Sequence, residues 1–106
     1  MTVIAITQNT PVLVAIDIAK ARHEVLIAVP GKKRRRSLTV LNELADFTRL
    51  ITALKDYGRP VRAAFETTGN YHRALAYHLA TPGFEVKLVS SVALAPPPGP
   101  PHNSWA

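Results

Sequence analysis

The 106-residue chain contains no cysteine, and its first ten residues lack the basic segment that opens an export signal. Without cysteine there is neither a disulfide framework nor a thiolate metal site. No apolar run approaches the ~18 residues that a membrane-spanning helix requires. These absences exclude the secreted disulfide scaffolds and predict a cytoplasmic protein with no membrane partner.

Acidic residues are also scarce. Seven Asp and Glu residues stand against 13 Lys and Arg residues, which gives a formal net charge of +6. A positive balance of this size attracts polyanions, so nucleic acid is the expected partner. The hydrophobic fraction of 47% is ordinary for a globular protein and predicts one folded unit with a modest core.

The densest positive charge lies in one short segment between two predicted strands. It comprises Lys32, Lys33, Arg34, Arg35 and Arg36. Five cations at the tip of a hairpin can contact several phosphates of DNA or RNA. A solvated loop that only keeps the protein soluble is the alternative.

The hydrophobic pattern predicts an α/β fold with elements in the order β-β-β-α-β-α-β. Strands are expected over residues 12–17, 23–29, 37–41, 61–66 and 84–88, and helices after Asn42 and over residues 71–80. Asn42 is expected to cap the first helix. The apolar stripe of that helix is expected to contain Leu44, Phe47, Ile51 and Leu54.

The composition divides the chain into three parts. Residues 1–11 form an N-terminal extension, residues 12–94 the folded domain, and residues 95–106 a tail. Five of the nine prolines lie between Pro96 and Pro101. Because proline is excluded from helix interiors and central strands, we expect the tail to be disordered.

Two acidic residues end predicted buried strands. Asp17 closes the run Val12–Asp17, and Glu66 closes the run Val61–Glu66. A carboxylate is costly to desolvate, so an acid at the end of an apolar run usually meets water, a metal or a charged partner. On neighbouring strands the two could share Mg²⁺ or Mn²⁺, which prefer oxygen ligands. Alternatively, Asp17 caps the next turn and Glu66 pairs with Arg62 or a lysine.

Lys20 follows the first of these acids after a short interval. Its ammonium group could approach a phosphate bound near Asp17, or it could be an ordinary exposed lysine of a turn. A two-metal phosphodiester site needs more carboxylates than two. After Glu85 the 106 residues contain no further Asp or Glu.

Three segments of the sequence resemble a known protein family. Ala15–Val25 resembles the D-x-A/S-K strand and turn of that family, and Phe65–His72 resembles its E-x-T/S-G-x-Y motif. Gly83–Val89 resembles the strand that follows. The family is that of the DEDD transposases of bacterial insertion sequences, the IS110 family, and the resemblance covers residues 12–94.

The resemblance implies an RNase H-like, RuvC-like domain that uses four acids and a divalent metal, Mg²⁺ or Mn²⁺, to cut and rejoin DNA. Asp17 matches the first acid and Glu66 the second, which makes both catalytic metal ligands. The third and fourth acids of the family, and the serine of its separate C-terminal domain, have no counterpart here. The resemblance therefore implies a truncated N-terminal fragment that is inactive alone.

The resemblance also implies partners for a complete protein of this family. They are DNA, a structured RNA from the ends of the element, and further copies of the transposase in a homo-oligomer. Two other classes remain open. One is a non-catalytic basic module that binds nucleic acid. The other is a fragment of an actin-like or sugar-kinase ATPase, although the segment Ala19–Ala21 lacks the glycine of the phosphate turn of those proteins.

Overall fold

The computed structural model of the protein describes residues 7, 9–67 and 69–90. The strands are β1 (Val12–Asp17), β2 (Arg22–Ala28), β3 (Arg36–Leu41), β4 (Val61–Thr67) and β5 (Glu85–Ser90), and the helices are α1 (Leu44–Lys55) and α2 (Arg73–Ala80). The predicted order of elements is therefore observed. The proline-rich tail and most of the N-terminal extension lie outside the described residues.

All five strands form one mixed sheet in the order β3-β2-β1-β4-β5. The pairs β1–β2 and β2–β3 are antiparallel, whereas β1–β4 and β4–β5 are parallel. A parallel crossover is nearly always right-handed. The crossovers through α1 and α2 both proceed toward β5, so that rule places both helices on the same face, where they contact each other.

The core lies between this face of the sheet and the two helices. Buried and exposed residues alternate strictly along β1, as expected for a strand with one covered face. The largest fully buried apolar side chains are Phe65, Ile16, Ile27, Leu50, Leu54, Leu75 and Leu79. The opposite face, which we call the open face, carries no helix among the described residues, and Leu13 and Leu26 are exposed there.

A glycine in the left-handed conformation follows each helix. Gly58 has a φ of 64° and Gly83 a φ of 96°, a backbone conformation that favours glycine after a helix. Pro60 and Pro82 accompany these glycines and hinder further helix formation. In the described part of the chain, neither helix is long and apolar enough to cross a membrane.

The predicted cap of α1 is wrong. The N-cap residue is Glu43, which makes no capping hydrogen bond with its side chain, and the Asn42 amide instead donates to the backbone oxygen of Lys20. Leu44 is 62% exposed, and Leu50 takes a core position that the predicted stripe had omitted. Residues 47, 50, 51 and 54 form the covered stripe, and Leu44, the first residue of the helix, lies outside it.

One further prediction needs correction, the start of the second helix. Helix α2 begins at Arg73, and Tyr71, predicted to be its first residue, lies before it and is about half exposed. Leu88 on β5 is also about half exposed. Strand β5 is the edge of the sheet, so its inward side chains are only partly covered.

Asp46 is a buried acid that joins α1 to β3. Its Oδ2 accepts the backbone N–H of Leu41 at 2.7 Å, and its Oδ1 accepts from the Arg49 guanidinium. The hydrogen bond from Leu41 lowers the pKa of Asp46 below 3.8, with Arg49 acting in the same direction and desolvation opposing. The carboxylate form is therefore stabilised in the folded protein.

This arrangement predicts a specific loss of stability in acid. The folded pKa of Asp46 is depressed, so its contribution is present above 3.8 and is lost as pH falls through the folded pKa. In Asp46→Asn the difference in unfolding free energy between pH 7 and pH 3 should shrink, as measured by urea denaturation. Asp56→Asn, which changes an exposed acid at the other end of α1, is the control. An equal reduction of that difference in both variants would contradict the role of Asp46.

Candidate metal and nucleic-acid site

Asp17 and Glu66 are direct neighbours in the structure. They are register partners in the parallel pair β1–β4, and adjacent strands lie about 4.8 Å apart. Both side chains are exposed on the open face. The sheet thus brings together the two acids that the sequence singled out, at the same level of two central strands.

The local sequence explains this placement. The side chains of Val12, Val14 and Ile16 are buried under the helices, so the alternation assigns Asp17 to the open face. Phe65 and Glu66 alternate in the same way at the end of β4. In open α/β sheets, ligands bind at the carboxyl ends of the strands, which is where both acids lie.

The predicted alternative partners do not engage these acids. Arg62 forms an ion pair with Glu85, with 2.7 Å between Nε and Oε2, and not with Glu66. Within residues 9–67 and 69–90, neither Asp17 nor Glu66 has a side-chain hydrogen bond or an ion pair. Two like charges therefore lie in register without a compensating cation from the described part of the protein.

A third acid, Glu24, lies at the same level and was missed from the sequence. It is the register partner of Asp17 across the antiparallel pair β1–β2. The hydroxyl of Thr39 donates to both of its carboxylate oxygens, at 2.9 and 3.2 Å. Strict alternation in β2 could have identified it, because His23, Val25 and Ile27 are the covered residues.

The three acids line an open groove together with Ser37 and Val89. No group of three or more metal-binding side chains is arranged to hold an ion in the part of the chain that the structure describes. The bond from Thr39 engages Glu24 on the side of β3, away from Glu66. The candidate metal site is therefore the pair Asp17 and Glu66.

Lys20 lies in the turn between β1 and β2, directly beyond Asp17, and is exposed. The backbone of this turn is bonded to its surroundings. The N–H of Ile18 donates to the backbone oxygen of Glu66 at 3.1 Å, and the Asn42 amide donates to the oxygen of Lys20 at 3.2 Å. The turn is thus connected to the second acid.

The basic cluster lies at the other end of the sheet. Residues Lys32, Lys33, Arg34 and Arg35 belong to the loop between β2 and β3, and Arg36 begins β3; all five are exposed. The loop leaves β2 after Ala28, which pairs with Leu13. Leu13 is about 13 Å along β1 from Asp17, so the cluster and the acids do not form one site.

The fold and the site define an α/β domain with a mixed sheet and a carboxylate pair at the carboxyl ends of two parallel central strands. Residues 14–95 match the transposase family of the DEDD, IS110 type. The chain belongs to this family. A search of curated proteins gave no significant match.

Solved structures give weaker similarities. The Pelota protein of Thermoplasma acidophilum has a TM-score of 0.48 at 17% identity, covering 82% of this chain and 31% of that protein. The ethanolamine utilization protein EutJ of Carboxydothermus hydrogenoformans has a TM-score of 0.41 at 18% identity, covering 76% and 37%. A Ppx/GppA phosphatase of Aquifex aeolicus has 0.38 at 12% identity, covering 76% and 36%. The chain spans about a third of each protein.

Proposed function

We propose that this chain is the N-terminal RNase H-like, RuvC-like portion of a transposase, in which Asp17 and Glu66 hold a divalent cation against DNA. The observation that carries the proposal is the register pairing of two exposed carboxylates that have no partner among the described residues. Isolated like charges at adjacent positions cost stability, and functional sites are where proteins retain such costs.

The residues present fit Mg²⁺ or Mn²⁺. Such ions are commonly bound by one or two carboxylates, with waters and a substrate phosphate completing the coordination. When bound, the metal polarises the phosphate and supplies the attacking hydroxide. The role of the protein is to hold the two carboxylates at one level and to place Lys20 in the adjacent turn, where its ammonium group can contact a phosphate.

The proposal includes a limit on the activity of this chain. Two carboxylates are fewer than a two-metal site requires, and no Asp or Glu follows Glu85 in the sequence. We expect these 106 residues alone to bind metal and DNA without cleaving the DNA. A structured RNA and further copies of the protein are the other partners proposed for a complete transposase.

The basic cluster is proposed to bind a second region of the nucleic acid. The loop begins beyond Leu13, which lies about 13 Å along β1 from Asp17, so a nucleic acid that contacts both regions must extend over several phosphates. This spacing gives the two regions different roles. The cluster supplies affinity along the backbone, while the acids define the position of the metal-bound phosphate.

The contribution of the cluster can be measured with matched variants. Lys33→Ser/Arg34→Ser should lower affinity for duplex DNA and reduce the slope of log K against log salt by about 1–2, because each lost phosphate contact removes ~0.9. Lys55→Ser/Arg73→Ser removes the same charges from the helices. If both variants bind DNA equally, the affinity reflects net charge alone and the loop has no specific role.

The proposal as a whole is tested by the effect of metal on DNA binding. In the wild type, Mn²⁺ or Mg²⁺ should increase affinity for an oligonucleotide duplex relative to EDTA. In Asp17→Asn/Glu66→Gln this increase should be absent, while the affinity in EDTA should be unchanged or slightly higher because two negative charges are gone. Equal affinities of the wild type with metal and with EDTA would favour the non-catalytic binding module instead.

A further inference from the structure

His23 is a buried polar residue with a specific backbone contact. Its side chain is 0% exposed, on the face of β2 that the helices cover. Its Nδ1 accepts the backbone N–H of Ala19 at 3.3 Å. An imidazole that accepts through Nδ1 must carry its proton on Nε2, so the ring is neutral in this arrangement. Ala19 lies in the turn that directly follows Asp17.

The imidazole ring packs against a helix that covers the sheet. It stacks against Phe47 of α1 with a centroid distance of 6.4 Å and an interplanar angle of 18°. Burial lowers the pKa of His23 below 6.5, although the Asn42 side chain opposes this effect. The surroundings therefore favour the neutral form, which is the form able to accept from Ala19.

Asn42 holds the same turn from the end of β3. Its backbone N–H donates to the oxygen of Ala21 at 3.0 Å, and its side-chain amide donates to the oxygen of Lys20 at 3.2 Å. With the bond from Ile18 to Glu66, hydrogen bonds constrain each of the four turn residues. The exposed Lys20 side chain thus begins from a backbone that is fixed relative to both acids.

We propose that His23 and Asn42 are positioning residues that hold the β1–β2 turn so that the Lys20 ammonium group contacts a nucleic-acid phosphate at the Asp17–Glu66 pair. The inference rests on the proposed function, because it needs a phosphate at these acids. The proposal gives a role to His23, which takes no part in metal binding or in the basic cluster. Lys20 is the contacting group, and the other two residues act through it.

The test uses three single variants and measures binding of a DNA duplex with Mn²⁺ present. Lys20→Met should weaken binding about tenfold, the effect of losing one hydrogen bond to a charged group. His23→Leu should weaken it by a similar factor, because the turn loses its acceptor. His23→Asn should restore most of the affinity, since the Asn carboxamide oxygen can replace Nδ1 as acceptor.

A double variant separates positioning from general destabilisation. If His23 acts through Lys20, His23→Leu/Lys20→Met should bind DNA no more weakly than Lys20→Met alone. Fully additive losses, or unchanged binding by His23→Leu, would overturn the inference. If His23→Leu does not fold, Asn42→Ala can replace it, because Asn42 is only half-buried. The double variant Asn42→Ala/Lys20→Met is then compared with Lys20→Met alone.

Failure of this inference can be distinguished from failure of the proposed function. Mn²⁺ binding without DNA should be retained in the wild type, His23→Leu and Lys20→Met, because all three proteins keep Asp17 and Glu66. If the wild type itself shows no effect of Mn²⁺ on DNA binding, the proposed function fails and the inference with it. If that effect is present but Lys20→Met binds as the wild type does, only the inference fails.

Discussion

Replacing Asp17 with Asn is expected to abolish stabilisation by Mg²⁺ and to raise the melting temperature of the metal-free protein. In the wild type, metal at ten times its dissociation constant should add about 1.4 kcal/mol to the unfolding free energy. For a domain of this size that corresponds to roughly 5–10 °C. Without metal, Asp17→Asn removes the repulsion between register partners and should stabilise the fold slightly.

This prediction is specific because Asp17→Asn should lower the melting temperature measured with Mg²⁺ and raise the melting temperature measured without metal. Glu66→Gln should behave as Asp17→Asn does, whereas Glu24→Gln should keep the stabilisation by Mg²⁺, because Glu24 is engaged by Thr39. Thermal unfolding with EDTA and with Mg²⁺ provides the measurement. A metal-free Asp17→Asn protein that melts several degrees below the wild type would contradict the account, since it would assign Asp17 a structural role.

Phe65→Ala is expected to lower the free energy of unfolding by about 3–5 kcal/mol. Phe65 is 0% exposed, lies at the centre of the sheet with Ile16 and Leu88 as register partners, and contacts the His72 ring at a centroid distance of 6.2 Å. Removing its ring leaves a cavity that the rigid central strands cannot close. Small domains have unfolding free energies of ~5–15 kcal/mol, so a large fraction of the stability would be lost.

The control for this prediction is an aromatic residue outside the core. Tyr77 on α2 is 67% exposed, and Tyr77→Ala should change the unfolding free energy by less than about 1 kcal/mol. Urea denaturation of both variants at neutral pH gives the comparison. Similar losses in the two variants would show that the core does not centre on β4. Phe65→Ala should also weaken metal binding, because Glu66 follows Phe65 on the same strand.

The central strands and their acids were predictable from the sequence. The bounds of β1 are those predicted, because a continuous apolar run that ends at an acid marks both ends of the strand. Strand β4 differs from its prediction by one residue. The adjacency of Asp17 and Glu66 depended on strand order, and the sheet does pair β1 with β4.

Features set by contacts between distant segments were not predictable. Asn42 has the chemistry of a helix cap, yet its amide donates to Lys20 in a turn that precedes it by many residues. From the sequence alone, Asn42 can either cap the helix or bond to the backbone of another segment. Only the folded sheet brings the turn within reach of its side chain. His23 was missed for a different reason: its partner Ala19 is only four residues away, but the sequence does not show that the imidazole of a strand residue accepts from the preceding turn.

The basic cluster illustrates a different limit. Its position between the second and third strands is confirmed, although Arg36 already belongs to β3. Its chemistry suggested contact with nucleic acid, but the net charge gave no information on where that contact lies relative to the acids. The antiparallel pairing of β1 and β2 places the loop at the opposite end of the strands from Asp17. The two groups of residues therefore need separate tests.

Titration with Mn²⁺, followed by electron paramagnetic resonance of the free ion, tests the central claim most directly. We predict a saturable site in the wild type that is retained in Glu24→Gln and lost in Asp17→Asn/Glu66→Gln. Circular dichroism should show that both variants are folded. Equal Mn²⁺ binding by the wild type and the Asp17→Asn/Glu66→Gln protein would contradict the assignment of these two carboxylates as the metal site.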